Sequence, residues 1–123
     1  MNELTAIRNR DLEKAYHAAL RKYWHNDMVI KKFITRVVES GAPRFYITER
    51  KLLVIVSKIR KGESVGRNPD KVRMYNDLYK VYCEKEAEMP CHRKIDIASA
   101  AIHTKAPSFY IKPQQAGNII YGC

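Results

Sequence analysis

Ala42-Pro43-Arg44-Phe45-Tyr46-Ile47 returns 64 positions later as Ala106-Pro107-Ser108-Phe109-Tyr110-Ile111. The same shift carries Ile34 onto Ala98, Val38 onto Ile102, Ile55 onto Ile119 and Val56 onto Ile120. Upstream, Tyr16 and Tyr23 match Tyr75 and Tyr82 at a shift of 59, so the second copy holds five more residues ahead of its Ala-Pro loop. Internal repetition decides architecture before any single motif does. The sequence is read as a duplicated helix-helix-extended loop-helix unit, with repeats over 11–61 and 70–121 and a linker over 62–69. Each half alone sits near the lower size limit for independent stability, so 1–123 is expected to form a single compact domain. The fold class expected is mainly α with pseudo-two-fold symmetry, with the two Phe-Tyr-Ile segments as a candidate for a minimal two-stranded ribbon.

The helices are set by apolar periodicity. Leu12, Ala15, Tyr16, Ala19, Leu20 and Tyr23 predict a helix over 10–25, broken at Asn26-Asp27, where Asp27 can cap the next helix. Ile30, Phe33, Ile34, Val37 and Val38 predict that second helix over 28–39, stopped at Ser40-Gly41 with Gly41 suited to a left-handed turn. Phe-Tyr-Ile favours extended geometry, in which Phe45 and Ile47 face the core and Tyr46 the other way. Thr48 caps a third helix over 49–61 with the stripe Leu52, Ile55, Val56 and Ile59. Asn68-Pro69-Asp70 supplies cap, first-turn proline and acid for a helix over 69–88. Ile95, Ala98, Ala101 and Ile102 mark 93–103, and Pro113 opens a short helix over 113–121.

Charge points to a partner class. The net charge is +10, and it is lopsided: residues 1–61 carry 14 basic and 6 acidic side chains, residues 62–123 carry 9 and 7. A strong positive field favours polyanions. The expected function is non-enzymatic nucleic-acid binding, DNA being the favoured form, by the basic surface of the first repeat. Lys31, Lys32, Arg36, Arg44, Arg50, Lys51, Lys58 and Lys61 are the phosphate-binding candidates, and Tyr46 beside Arg44 is a stacking candidate. The order helix, turn, basic helix is that of a helix-turn-helix, but the loop from Ser40 to Ile47 is longer than the usual three or four residues. The alternative is a protein-protein interaction or scaffold module with no nucleic-acid role. A homodimer or protein contact would then fall to the nearly neutral second repeat and its tyrosines.

Other classes find little purchase. Cys83, Cys91 and Cys123 have no C-x-x-C spacing, and His17 and His25 stand two helical turns apart, so no metal or other cofactor is expected. There is no nucleophile elbow, phosphate-binding glycine loop or zinc-protease motif, and a tyrosine nucleophile would lack its supporting residues. No leader and no membrane-spanning run is read, which makes cytoplasmic the expected location. The doubled Ala-Pro-x-Phe-Tyr-Ile after an apolar helix, with the Asn68-Pro69 start, resembles a family of small basic proteins of anaerobic bacteria. That resemblance covers most of the chain and implies a bacterial setting, with no activity to transfer.

Overall fold

The computed structural model describes residues 3–23 and 30–122. His25, the Asn26-Asp27 break with its Asp27 cap, the inward setting of Tyr23 and Cys123 lie outside the described residues. Among the described residues six helices succeed one another: α1 Glu3–Tyr23, α2 Ile30–Glu39, α3 Glu49–Arg60, α4 Pro69–Glu88, α5 Lys94–Ile102 and α6 Pro113–Tyr121. The helix starts obey their local signals. Thr48 Oγ1 accepts from the Lys51 amide at 3.2 Å, and Asn68 Oδ1 accepts from the amides of Asp70 and Lys71 at 3.0 and 3.3 Å. α3 closes on a Schellman pair, in which Glu63 N donates to Lys58 O and Gly62 N to Ile59 O. α1 begins seven residues before the predicted start, with Glu3 in its positive first turn and Leu4 and Ile7 continuing the apolar spacing.

The chain divides into two compact units, and the division does not fall at the linker. One comprises residues 1–43 and 105–123, the other residues 44–104. α6 therefore packs on α1 and α2, while α3 packs on α4 and α5. The third helix of each predicted repeat lies with the first two helices of the other.

In the discontinuous unit, Leu12 and Tyr16 of α1 are buried with Phe33, Ile34, Val37 and Val38 of α2 and Ala116 of α6. The Tyr16 and Phe33 rings meet edge to face at 5.5 Å. At Gly117 of α6 a Cβ would sit in ordinary contact with Ile34 Cδ1 of α2, at 3.6 Å. Tyr16 Oη and Tyr121 Oη share a hydrogen bond of 2.5 Å. Burial, then that bond and the Tyr121 charge, pushes the Tyr16 phenol up to about 12. In the continuous unit, Leu52, Ile55 and Val56 of α3 close on Tyr75, Leu78 and Tyr82 of α4 and on Ile97, Ala98, Ala101 and Ile102 of α5. Burying each large apolar side chain of this set contributes about 1.5–3 kcal/mol. Two inward assignments are corrected. Ile30 is 50% exposed and Ile95 36% exposed, and Ile97 takes the buried place on α5.

The Phe-Tyr-Ile segments do not form the ribbon envisaged for them. No strand is present among the described residues, and the single β-bridge there joins Ala42 to Ala106, where each amide donates to the other's carbonyl at 2.8 and 2.9 Å. The phenylalanine amides turn instead to helix ends. Phe109 N donates to Val38 O at the end of α2, and Phe45 N to Ile102 O at the end of α5. Carbonyls in the last turn of a helix have no partner within it, so these amides find better acceptors there than in a two-residue ladder. Phe45 and Ile47 are buried, as the alternation predicts, and Phe109 and Ile111 are buried too. Tyr110 departs from its counterpart: it is buried and left-handed at φ +57°. Ser108 holds that turn, its Oγ accepting from Tyr110 N and donating to Val38 O.

Two glycines should differ in their tolerance of a side chain. Gly41 sits at φ +109°, and a Cβ there would stand 3.1 Å from Ala106 O, whereas Gly62 at φ +76° has open space around it. Gly62→Ala is expected to cost about 1 kcal/mol and Gly41→Ala more than about 2 kcal/mol, read from urea midpoints. A second expectation concerns pH. Because folding raises the Tyr16 pKa above the ordinary value, its stabilisation is complete below pH 10 and is lost as pH rises from 10 toward about 12. The wild-type urea midpoint should fall more steeply over that interval than that of Tyr16→Phe.

Candidate functional site

The nine residues singled out by the sequence fall in different units. Lys31, Lys32 and Arg36 are exposed on α2 in the discontinuous unit. Arg44, Tyr46, Arg50, Lys51, Lys58 and Lys61 belong to the continuous unit, on α3 and the segments flanking it. The charge imbalance between sequence halves also disappears. The discontinuous unit carries ten basic and five acidic residues, the continuous unit thirteen and eight. With α3 counted beside α4 and α5, the two units carry equal net charge.

Within the continuous unit α3 gathers its cations. Its apolar residues Leu52, Ile55 and Val56 occupy one face. Arg50, Lys51, Val54, Ser57, Lys58 and Lys61 recur at spacings of three and four on the other. Val54 lies exposed among them, and no carboxylate shares that stripe. From Arg50 to Lys61 the stripe is about 16 Å long at the helical rise. At its far end Lys58 and Lys61 line a hollow with Leu53, Val54, Ser57 and Glu63.

Beside that hollow lies a cleft of about 300 Å³ lined by Leu53, Val56, Ser57, Arg60, Lys61, Tyr82 and Lys94. It is built where the end of α3 meets α4 and the start of α5. Arg60 is its fixed member. Its two terminal nitrogens donate to the Glu86 carboxylate at 3.3 and 2.7 Å, and its Nε donates to Tyr79 Oη at 3.4 Å. The guanidinium also lies 5.6 and 5.8 Å from the ring centroids of Tyr82 and Tyr79. The Glu86 and Tyr79 bonds hold Arg60 further in its charged form than a free arginine. Burial, then the Glu86 charge, raises the Tyr82 phenol, against a pull downward from Arg60. Lys61 and Lys94 make no ion pair among the described residues.

Arg44 and Tyr46 form a local pair. The Arg44 guanidinium stands 5.9 Å from the Tyr46 ring centroid, and its Nε donates to Phe45 O. Tyr46 is half-buried where the sequence suggested an exposed ring. Arg60 and Lys94 were missed as site residues. Arg60 carried a signal, since it falls in the basic end of α3. Lys94 carried none, because only the packing of α3 on α5 brings it to that end.

Among the described residues no group of three or more His, Cys, Asp and Glu stands close enough to hold a metal ion, and no helix is long and apolar enough to cross a membrane. Compared with known proteins, the chain matches no family model, no curated protein and no solved structure. What the arrangement can do chemically is bind anions: a row of cations with one paired arginine and free lysines at its end.

The Arg60–Glu86 pair is exposed on both sides at 39%, so its contribution to stability is small. Glu86→Gln is expected to lower unfolding stability by less than about 1 kcal/mol in urea titration. It should also lower the Tyr82 pKa, because the carboxylate raises it, and an ultraviolet titration against Tyr82→Phe reads that shift.

Proposed function

We propose that this protein is a non-enzymatic nucleic-acid-binding protein, with DNA as its form of ligand, that binds through α3. The observation that carries the reading is the stripe Arg50, Lys51, Lys58 and Lys61, free of carboxylates and running into the basic cleft. Cations at helical spacing can meet successive phosphates, and each such meeting releases counterions. Arg44 over Tyr46, at the start of the same segment, adds a cation and a ring face that suit backbone and base. Lys31, Lys32 and Arg36 would supply a separate and weaker contact on the other unit. The architecture that accompanies this reading is a duplicated unit. In its support, the Phe45–Ile102 and Phe109–Val38 hydrogen bonds correspond to one another at the 64-residue shift.

A second reading rests on a different surface. Ile30, Ile34, Gly117 and Tyr121 line an apolar groove of about 510 Å³ in the discontinuous unit, with Ile30 and Tyr121 each 50% exposed. Exposed apolar surface of this kind suits a protein partner. The groove favours the interaction-module alternative if nucleic acid does not bind.

Arg50→Ala, Lys51→Ala, Lys58→Ala and Lys61→Ala together leave the apolar face of α3 intact. Folding should survive, since surface changes cost within about 0.5 kcal/mol each. Affinity for DNA should fall, and the plot of log affinity against log salt should flatten by up to about 0.9 for each duplex phosphate no longer neutralised. A control carrying Lys71→Ala, Lys80→Ala, Lys105→Ala and Lys112→Ala removes as much charge from positions outside the stripe and should do less. Equal loss from both sets would mean diffuse attraction. Absence of binding by the wild type at low salt would reject the reading.

A further inference from the structure

We infer that the cleft at the end of α3 takes one unpaired nucleotide of the bound strand, so that this surface prefers single-stranded to duplex nucleic acid. The inference rests on the nucleic-acid reading above and names the form of ligand. Three features carry it. The first is size: about 300 Å³ is the lower end of small-molecule sites and more than a phosphate needs by itself. The second is the division of labour among the cations. Arg60 is committed to Glu86 and to the tyrosine rings, which fixes its plane, while Lys61 at the end of α3 and Lys94 at the start of α5 are exposed charges with no acidic partner among the described residues. The third is the remaining lining. Leu53 lines it together with the nearly buried Val56 and Tyr82 as its apolar side, and Ser57 lies beside them.

A phosphate alone would need the lysines and would gain nothing from that apolar side. A nucleotide uses all of it. Its phosphate is held by Lys61 and Lys94, as point charges hold phosphate. Its base meets the fixed guanidinium plane of Arg60 and the apolar side, a sequence-tolerant contact open to any base with a free face. Ser57 offers one donor or acceptor to the base edge or sugar. A base in a duplex has both faces covered by its neighbours and cannot enter without leaving the stack, at a cost of a few kcal/mol. The stripe from Arg50 to Lys58 makes no such demand and meets the backbone of either form. The opposing charges are Glu86, already neutralised by Arg60, and Glu63 in the adjoining hollow.

The test uses the full chain with a labelled oligothymidylate and with a duplex of equal length, at two salt concentrations. Lys94→Ala, which leaves the α3 stripe whole, should weaken single-strand binding about tenfold while changing duplex binding much less. Its single-strand salt slope should flatten by about 0.7 for the phosphate it no longer holds. Arg60→Lys keeps charge and loses the plane. It should weaken single-strand binding and leave the salt slope unchanged. Thymidine monophosphate should compete for the oligothymidylate site better than inorganic phosphate does. Equal effects of Lys94→Ala on both probes, no effect of Arg60→Lys, or equal competition by inorganic phosphate would each overturn the nucleotide site. In those cases a loss of binding by Arg50→Ala with Lys51→Ala would still uphold the α3 stripe. Failure of the wild type to bind either probe would overturn both readings at once.

Discussion

Two main-chain hydrogen bonds govern which helix packs with which. Phe109 N donates to Val38 O and Phe45 N to Ile102 O, and each ties the segment before a third helix to the last turn of a second helix far away in sequence. The helix-end carbonyls need donors and the incoming phenylalanines need burial, so one junction meets both demands. Once Phe109 is seated at the end of α2, Ile111 and Pro113 direct α6 onto α1 and α2. Once Phe45 is seated at the end of α5, Ile47 and Thr48 direct α3 onto α4 and α5. The buried side chains of both units are settled by that choice. In the discontinuous unit the reciprocal Ala42–Ala106 bridge, with Gly41 left without a side chain beside it, keeps the end of α2 close enough to the second Ala-Pro loop for the Phe109 bond to be made.

Local chemistry was legible in the sequence and long-range partnership was not. Thr48, Asn68, Pro69 and Pro113 marked their helix starts because capping is decided within four residues. The alternation in Phe-Tyr-Ile placed Phe45 and Ile47 inside, since pleat geometry is local too. The destination of their amides could not be read, because the hexapeptide occurs twice and nothing local selects the distant helix end that each occurrence meets. Periodicity placed Ile30 and Ile95 wrongly: both stand at the first turn of a short helix, where the packed face is set by the neighbour and not by the pattern. Ser108, at the position that Arg44 holds in the first hexapeptide, braces the left-handed turn at Tyr110.

The candidate site shows the same limit. The basic residues of α3 were plain from composition and spacing. The sum over each half of the sequence misled, because a boundary drawn at the linker is not the boundary between units. With α3 counted beside α4 and α5, its cations share a unit with Glu84, Glu86 and Glu88 at the acidic end of α4, and Arg60 is the one that pairs, with Glu86. Pairing one arginine while leaving Lys61 and Lys94 without an acidic partner gives the cleft both a rigid element and a charged one. A rigid guanidinium plane restricts what can lie against it, and flexible ammonium groups tolerate variation in where a phosphate arrives.

The division of the chain bears on the order in which structure is gained. The unit of residues 44–104 is one uninterrupted stretch, and its helices can meet as soon as α5 has been synthesised. The other unit brings Tyr16 against Tyr121 across 105 positions and closes only when both of its segments exist. Closing a longer loop costs more entropy, by about 0.6 kcal/mol for each doubling of length. Within that unit, α6 completes the packing around Phe33, Val37 and Val38 only after the rest of the chain has been made. A nascent chain would thus carry its finished middle section before α6 can reach α1 and α2.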